Sequence, residues 1–257
     1  MDQTELSAII GKARGDGSDT LDLSQEELES LPASIGDLVN LVELDLSGNR
    51  LTQLPPEIGN LTSLTRLNVR NNQLTELPPE IGSLVELTGL FVQENQLSSL
   101  PSQIGNLTRL RRLNSSNNQL TKLPPELGNL TSLTWLFLPD NSLLELPPEI
   151  GSLAALTEIF LQDNQIDSLP PEIGNLTGLK ELHLDRNELA GVTPEIGHLS
   201  SLTALYLREN HISALPPEIA GLSSLNWLYV GGNRLTELPP EIGSLTDLTG
   251  LYAEDNQ

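Results

Sequence analysis

The chain has 257 residues, with 35 acidic against 13 basic side chains and a formal net charge of −22. That balance opposes a phosphate backbone or an anionic membrane surface, so neither nucleic acid nor membrane is an expected partner. There is no cysteine, which removes disulfide caps, thiol nucleophiles and cysteine metal sites together and points to a reducing, cytoplasmic setting.

Residues 1–17 are expected to form an N-terminal capping helix. Leu6, Ile9, Ile10 and Ala13 share one helical stripe, with Thr4 as the expected N-cap and Gly15 as the expected stop. The acidic start and short apolar patch lack the basic and apolar regions of a secretory signal. No apolar run approaches the length of a membrane span.

From residue 18 onward the chain is periodic. Leu41, Leu44 and Leu46 recur as Leu64, Leu67 and Val69 and again as Leu87, Leu90 and Val92, a spacing of 23 residues. One unit reads LxxLxLxxNxLTxLPPEIGNLTS, and ten full units precede a truncated eleventh that stops at Gln257. Each unit of such a stack meets only its neighbours, so residues 18–257 are expected to form one continuous array. The period-two alternation of LxLxxN predicts a strand with its leucines on one face. Leu51, Leu54, Ile58 and Leu61 then carry the chain back across the core. The adjacent prolines exclude a central strand there and predict a turn with a short helical or irregular crossover.

Two polar columns read as structural. An amide both donates and accepts, so Asn49, Asn72, Asn95, Asn118, Asn141, Asn164, Asn187, Asn210, Asn233 and Asn256 are expected to tie up backbone groups where each strand bends. Thr65, Thr88, Thr134, Thr157, Thr203 and Thr249 suit a pleated surface. The first unit has Glu26 where asparagine belongs, as terminal units vary. Ser115 stands at a core position held elsewhere by leucine or valine, Pro139 enters the edge of a strand, and Val192 and Thr193 replace a Leu-Pro pair.

The LxLxxNxL segments, the asparagine column and the LPPEIG halves resemble those of leucine-rich-repeat proteins over about nine tenths of the chain. The resemblance implies an α/β fold, a curved horseshoe solenoid with one short parallel strand per repeat on its concave face and crossovers on its convex face. It also implies a protein-binding scaffold without catalytic residues. LTELPPEIGNLTSL units behind a short cap helix are similar to bacterial intracellular repeat proteins, including the arrays that precede the GTPase unit of Roco proteins. No GTPase motif lies in this sequence.

The concave columns are where function is expected. The residue between the two strand leucines runs Asp22, Asp45, Asn68, Phe91, Asn114, Phe137, Phe160, His183, Tyr206, Tyr229, Tyr252, and Trp135 and Trp227 lie two residues earlier on their strands. All eight aromatic side chains therefore fall on this face and none enters the core, although exposed tyrosine and tryptophan are typical of interface hot spots. Phe160 through Tyr252 are expected to form a continuous ring ladder. Arg66, Arg70, Arg111 and Arg112 make a basic zone suited to an acidic group, with Arg112 placed for a cation–π contact on Trp135. Asp185 is expected to face Arg208, and Arg186 to face Glu209, on neighbouring strands. Asp140 and Asp163 share a column, but two carboxylates without a ligand loop make a poor calcium site. No metal or other cofactor is expected.

The sequence has no glycine-rich phosphate loop, nucleophile elbow or HExxH motif, and its three histidines, His183, His198 and His211, stand in three different contexts. The expected function is a non-catalytic module binding a protein or peptide within a signalling or regulatory protein. Its partner-binding residues are Phe91, Arg111, Arg112, Trp135, Phe137, Phe160, His183, Tyr206, Trp227, Tyr229 and Tyr252. Two alternatives use the same residues differently. Rings that stack on sugars define a carbohydrate receptor. A scaffold would instead assemble through the open C-terminal end, which has no closing crossover.

Overall fold

The computed structural model describes residues 1–257. Helix α1 (Gln3–Asp16) precedes eleven strands of three residues each, from β1 (Thr20–Asp22) to β11 (Gly250–Tyr252), in one parallel sheet whose spatial order follows the chain. The register is a shift of one repeat throughout: Leu21 pairs with Leu44, Leu44 with Leu67, and so on to Leu228 with Leu251. One 3₁₀ turn per repeat, such as Pro56–Asn60, forms the crossover. The helical form of the crossover thus prevails over an irregular one. Proline opens the turn with its φ already set, and its missing N–H costs nothing at that position.

Close stacking of these turns is served by the glycine that ends the LPPEIG segment or its variants in every repeat except the one with Ala220. A Cβ at Gly105 would lie 2.5 Å from the backbone oxygen of Glu126 in the next crossover. The leucine, isoleucine and valine positions of every repeat merge into one core of 69 buried residues that contains no aromatic side chain.

Helix α1 buries Leu6, Ile10 and Ala13 against the first repeat. Its caps differ from those expected. Asp2, rather than Thr4, is the N-cap: its Oδ1 accepts from the N–H groups of Thr4 and Glu5 at 2.8 Å, while Glu5 reaches back to the Asp2 N–H at 3.0 Å. A carboxylate with glutamate three residues on satisfies two exposed donors reciprocally, which Thr4 cannot do. The helix also passes through Gly15 and ends at Gly17, whose φ of 65° supplies the left-handed stop.

The asparagine column ties up backbone groups as its chemistry implies, and it does so backwards. Asn49 donates to Leu46 O of its own repeat and Leu23 O of the preceding one, at 2.9 and 2.8 Å, and accepts from the preceding Leu28 N–H at 2.9 Å. Each asparagine therefore completes the repeat before it. Glu26 is tolerated in the first repeat because no earlier repeat needs that service. The residue before each asparagine is left-handed, with φ between 51° and 70° from Gly48 to Asp255. Asp140 and Asp163 hold this turn position, which short polar side chains accept more readily than most. The threonines also do more than fit a pleat. Each hydroxyl donates to a carbonyl one repeat back, as Thr134 does to Arg111 O at 3.0 Å.

Candidate functional site on the concave face

Alternation along three-residue strands sends the first and third side chains of each strand to the concave surface and the second into the core. Parallel pairing without slippage then lines up equivalent residues of successive repeats. In the third-position column this produces a ladder longer than expected, since it begins at Phe137 rather than Phe160. Ring centroids are 4.8 Å apart for Phe137–Phe160, 4.2 Å for Phe160–His183, 4.0 Å for His183–Tyr206, and 4.7 Å for both Tyr206–Tyr229 and Tyr229–Tyr252. The planes are tilted by 51° at the Phe137 end and lie within 6° of parallel between the tyrosines. Trp135 stacks on Phe137 at 5.0 Å and meets Phe160 edge-on, while Trp227 lies against Tyr252.

His183 stacks between Phe160 and Tyr206, and its Nε2 lies 3.1 Å from Glu181 Oε2. Burial, followed by the carboxylate of Glu181, pushes the Tyr206 phenol above its usual range. The ladder presents a row of flat, stacked rings. Trp227 and Tyr252 are its most exposed members, at 41% and 38%.

The polar half of the same column behaves differently. Asp22, Asp45, Asn68 and Asn114 each accept the backbone N–H two residues on, at 2.8 to 3.2 Å. Pro139 occupies the position of those donors. That N–H never enters the sheet ladder, so proline there breaks no strand pairing.

Three contacts depart from the expected pairing. Arg112 makes no cation–π contact with Trp135; instead the Arg66 guanidinium lies 5.0 Å from the Phe91 ring centroid. Gly89 separates Arg66 from Arg112 in the sheet register, and Phe91 folds over it, so close that a Cβ at Gly89 would stand 3.0 Å from the ring edge. Arg186 turns back to Asp163, binding both carboxylate oxygens at 2.5 and 2.6 Å, rather than forward to Glu209. Asp185 meets Arg208 only through the backbone N–H, at 2.8 Å. The Arg208 guanidinium reaches instead across Tyr229 and Tyr252, 4.8 and 5.5 Å from their centroids, to Glu254 at 2.8 Å. Arg208 and Glu254 therefore belong to the ladder surface, although neither stood out among the expected binding residues. Only the length of the arginine side chain, enough to cross two strands, hinted at that reach.

Phe91 stays apart from the ladder because Asn114 interrupts the column. Together with Arg66, Arg112, Trp135 and Glu158 it lines a depression of about 490 Å³. Arg111 lies one residue before β5 (Arg112–Asn114) and borders the adjoining hollow with Glu43. The expected residues thus form two zones, a basic well around Phe91 and an aromatic ladder from Phe137 onward.

A parallel sheet built one strand per repeat, with a backward-facing asparagine in each repeat after the first, defines the repeat-solenoid class of binding scaffold. The chain belongs to the leucine-rich-repeat family. Models described as "Leucine rich repeat" match residues 131–189, 177–235 and 200–257, "Leucine-rich repeat region" matches 67–137, and "Leucine Rich repeats (2 copies)" matches 39–83. Among solved structures, an internalin (InlF) from Listeria monocytogenes is 27% identical with a TM-score of 0.84, over 98% of this chain and 74% of its own. The ectodomain of the Arabidopsis thaliana receptor kinase GASSHO1/SCHENGEN3, solved in complex with CASPARIAN STRIP INTEGRITY FACTOR 2, is 36% identical with a TM-score of 0.83. That match covers 95% of this chain and 31% of the receptor. The Yersinia pestis effector YopM is 30% identical with a TM-score of 0.72, over 97% of this chain and 65% of its own. Measured on its relatives, this chain thus spans less than a third of the plant ectodomain and about two thirds or more of the two bacterial proteins. No curated protein matches the chain.

Proposed function

We propose that the chain is a non-catalytic recognition module that holds a protein or peptide along its concave face, within a signalling or regulatory protein. The observation that carries this reading is the placement of every aromatic side chain on that face while a 69-residue core uses none. Aromatic rings bury more area than leucine, so a chain built for stability alone would bring some of them inside. Left outside, stacked and pre-ordered, they offer broad contact area at low entropic cost to a partner. The plant peptide hormone receptor RGFR1, 33% identical over 89% of this chain, was solved in complex with RGF2, which supports a peptide-class partner. The absence of cysteine supports a reducing, cytoplasmic setting.

The test is affinity capture from a lysate of the native cell, comparing the intact chain with a variant carrying Phe160→Ala, Tyr206→Ala and Tyr229→Ala. A protein captured by the first and lost from the second supports the concave face as the binding surface. Equal capture by both, with the variant folded, overturns it. Capture of glycans in place of proteins would favour the sugar-stacking reading of the same rings.

A further inference from the structure

Five of the chain's arginines have carboxylate partners: Arg14, Arg50, Arg109, Arg186 and Arg208. Arg66, Arg70, Arg111, Arg112 and Arg234 have none. All five are exposed, and their guanidinium groups donate no hydrogen bond within the molecule. Arg234 stands alone, five residues after Tyr229, whereas the other four cluster on β3 (Arg66–Asn68), on β5 or within two residues of them.

We infer that Arg66 and Arg112 form a receptor for a carboxylate side chain of the partner, seated over Phe91 and Gly89; this rests on the concave-face reading above. Arg66 and Arg112 stand in register on either side of Gly89, two strand spacings or about 10 Å apart. With no side chain at Gly89 the space between them is open, and the Phe91 ring forms its floor while holding Arg66 above it. Trp135 closes one side. Two guanidinium groups lining one hollow with an apolar floor suit a planar carboxylate, which each can bind through paired N–H donors. Glu158 and Glu43 stand at the rims of the two hollows.

The well also fixes a register for the partner. About two strand spacings, roughly 10 Å, separate Phe91 from Phe137, and about five, roughly 24 Å, separate it from Tyr206. An extended segment crosses these distances in about three and seven residues. The bound segment accordingly carries an acidic residue about three to seven positions from an apolar or flat one.

The experiment is a fluorescence-anisotropy titration of a labelled hexaglutamate peptide with the intact chain at low salt, beside hexalysine and a twelve-nucleotide oligothymidine. Hexaglutamate is expected to bind saturably despite the net charge of −22. Arg66→Gln with Arg112→Gln is expected to weaken it by at least about tenfold. These side chains are exposed and unpaired, so the variant should keep its fold, checked by circular dichroism. Lys12→Gln with Lys122→Gln, which removes two exposed cations outside the well, should leave hexaglutamate binding within about twofold. Absence of hexaglutamate binding, equal binding by the arginine variant, or tighter binding of oligothymidine or hexalysine would each overturn the inference. If the well fails while ladder-dependent capture persists, the concave-face reading stands without it. If capture fails while the well binds, only the partner-gripping role of the ladder falls.

Discussion

His183 lies flat against Tyr206, with ring centroids 4.0 Å apart and planes 11° from parallel. This contact and the Tyr206–Tyr229 and Tyr229–Tyr252 stacks place three consecutive ring pairs around two tyrosines. Stacked cross-strand pairs contribute a few tenths to about 1 kcal/mol each, so Tyr206→Ala with Tyr229→Ala should cost about 1–3 kcal/mol of stability. The cooperative transition should persist, because the core beneath is unchanged. Urea unfolding measures this, and a loss well above that range would make the rings chiefly structural.

The strand half of each repeat was fully legible, because period-two leucines on a fixed 23-residue spacing allow only one register. The ladder was legible for the same reason, as equivalent positions in a parallel stack must touch. The left-handed turn before each asparagine was not. Its column holds Gly48, Asn71, Glu94, Asn117, Asp140, Asp163, Arg186, Glu209, Gly232 and Asp255, with too little shared chemistry to show a backbone requirement. Arginine pairing was also beyond reach. A long side chain on a parallel sheet has partners one strand back, one ahead or two ahead, and Arg186 and Arg208 chose different ones. The empty side chain of Gly89, which determines where Phe91 lies, is visible in the sequence only once the register is known.

Ser115 should prove a site of easy stabilisation. Its backbone N–H pairs with Phe137 O at 2.8 Å, but its hydroxyl is completely buried without a partner. Of the two outcomes its position allowed, a bond to backbone or an imperfect core, the second holds. Ser115→Val restores the side chain found at Val69 and Val92 and removes an unsatisfied polar group. It should add about 1–3 kcal/mol, seen as a higher urea midpoint with an unchanged slope. Ser115→Ala should give a smaller gain, since it removes the hydroxyl without filling space.

Asn141→Ala should be costly for a reason specific to its backward reach. The amide donates to Ser115 O, Leu138 O and Pro139 O at 3.0 to 3.2 Å and accepts from the Leu120 N–H at 3.0 Å. Alanine leaves that buried N–H unpaired between two repeats, at a cost of about 2–4 kcal/mol. Hydrogen exchange should show the loss first at Leu120, one repeat before the substitution. Protection lost only within the substituted repeat would contradict the backward role.

Asp185 supplies a pH dependence whose sign follows from its surroundings. Burial raises its carboxyl above the ordinary aspartate range, against the opposing effects of the Arg208 N–H, His183, Arg186 and Arg208. A group whose pKa is higher folded than unfolded favours the folded state when protonated. Its contribution is complete below the unfolded value, near 3.8, and is lost as pH rises through the folded one. Asp185→Asn mimics the protonated form at every pH while keeping an oxygen to accept from Arg208. The variant should therefore match or exceed the parent in stability at neutral pH, and that advantage should shrink on acidification through the carboxylate range. Urea midpoints of both proteins across this range provide the measurement, with the other acidic groups cancelling in the difference. An advantage that stays constant, or grows as the pH falls, would show that Asp185 is not held above its ordinary range by burial.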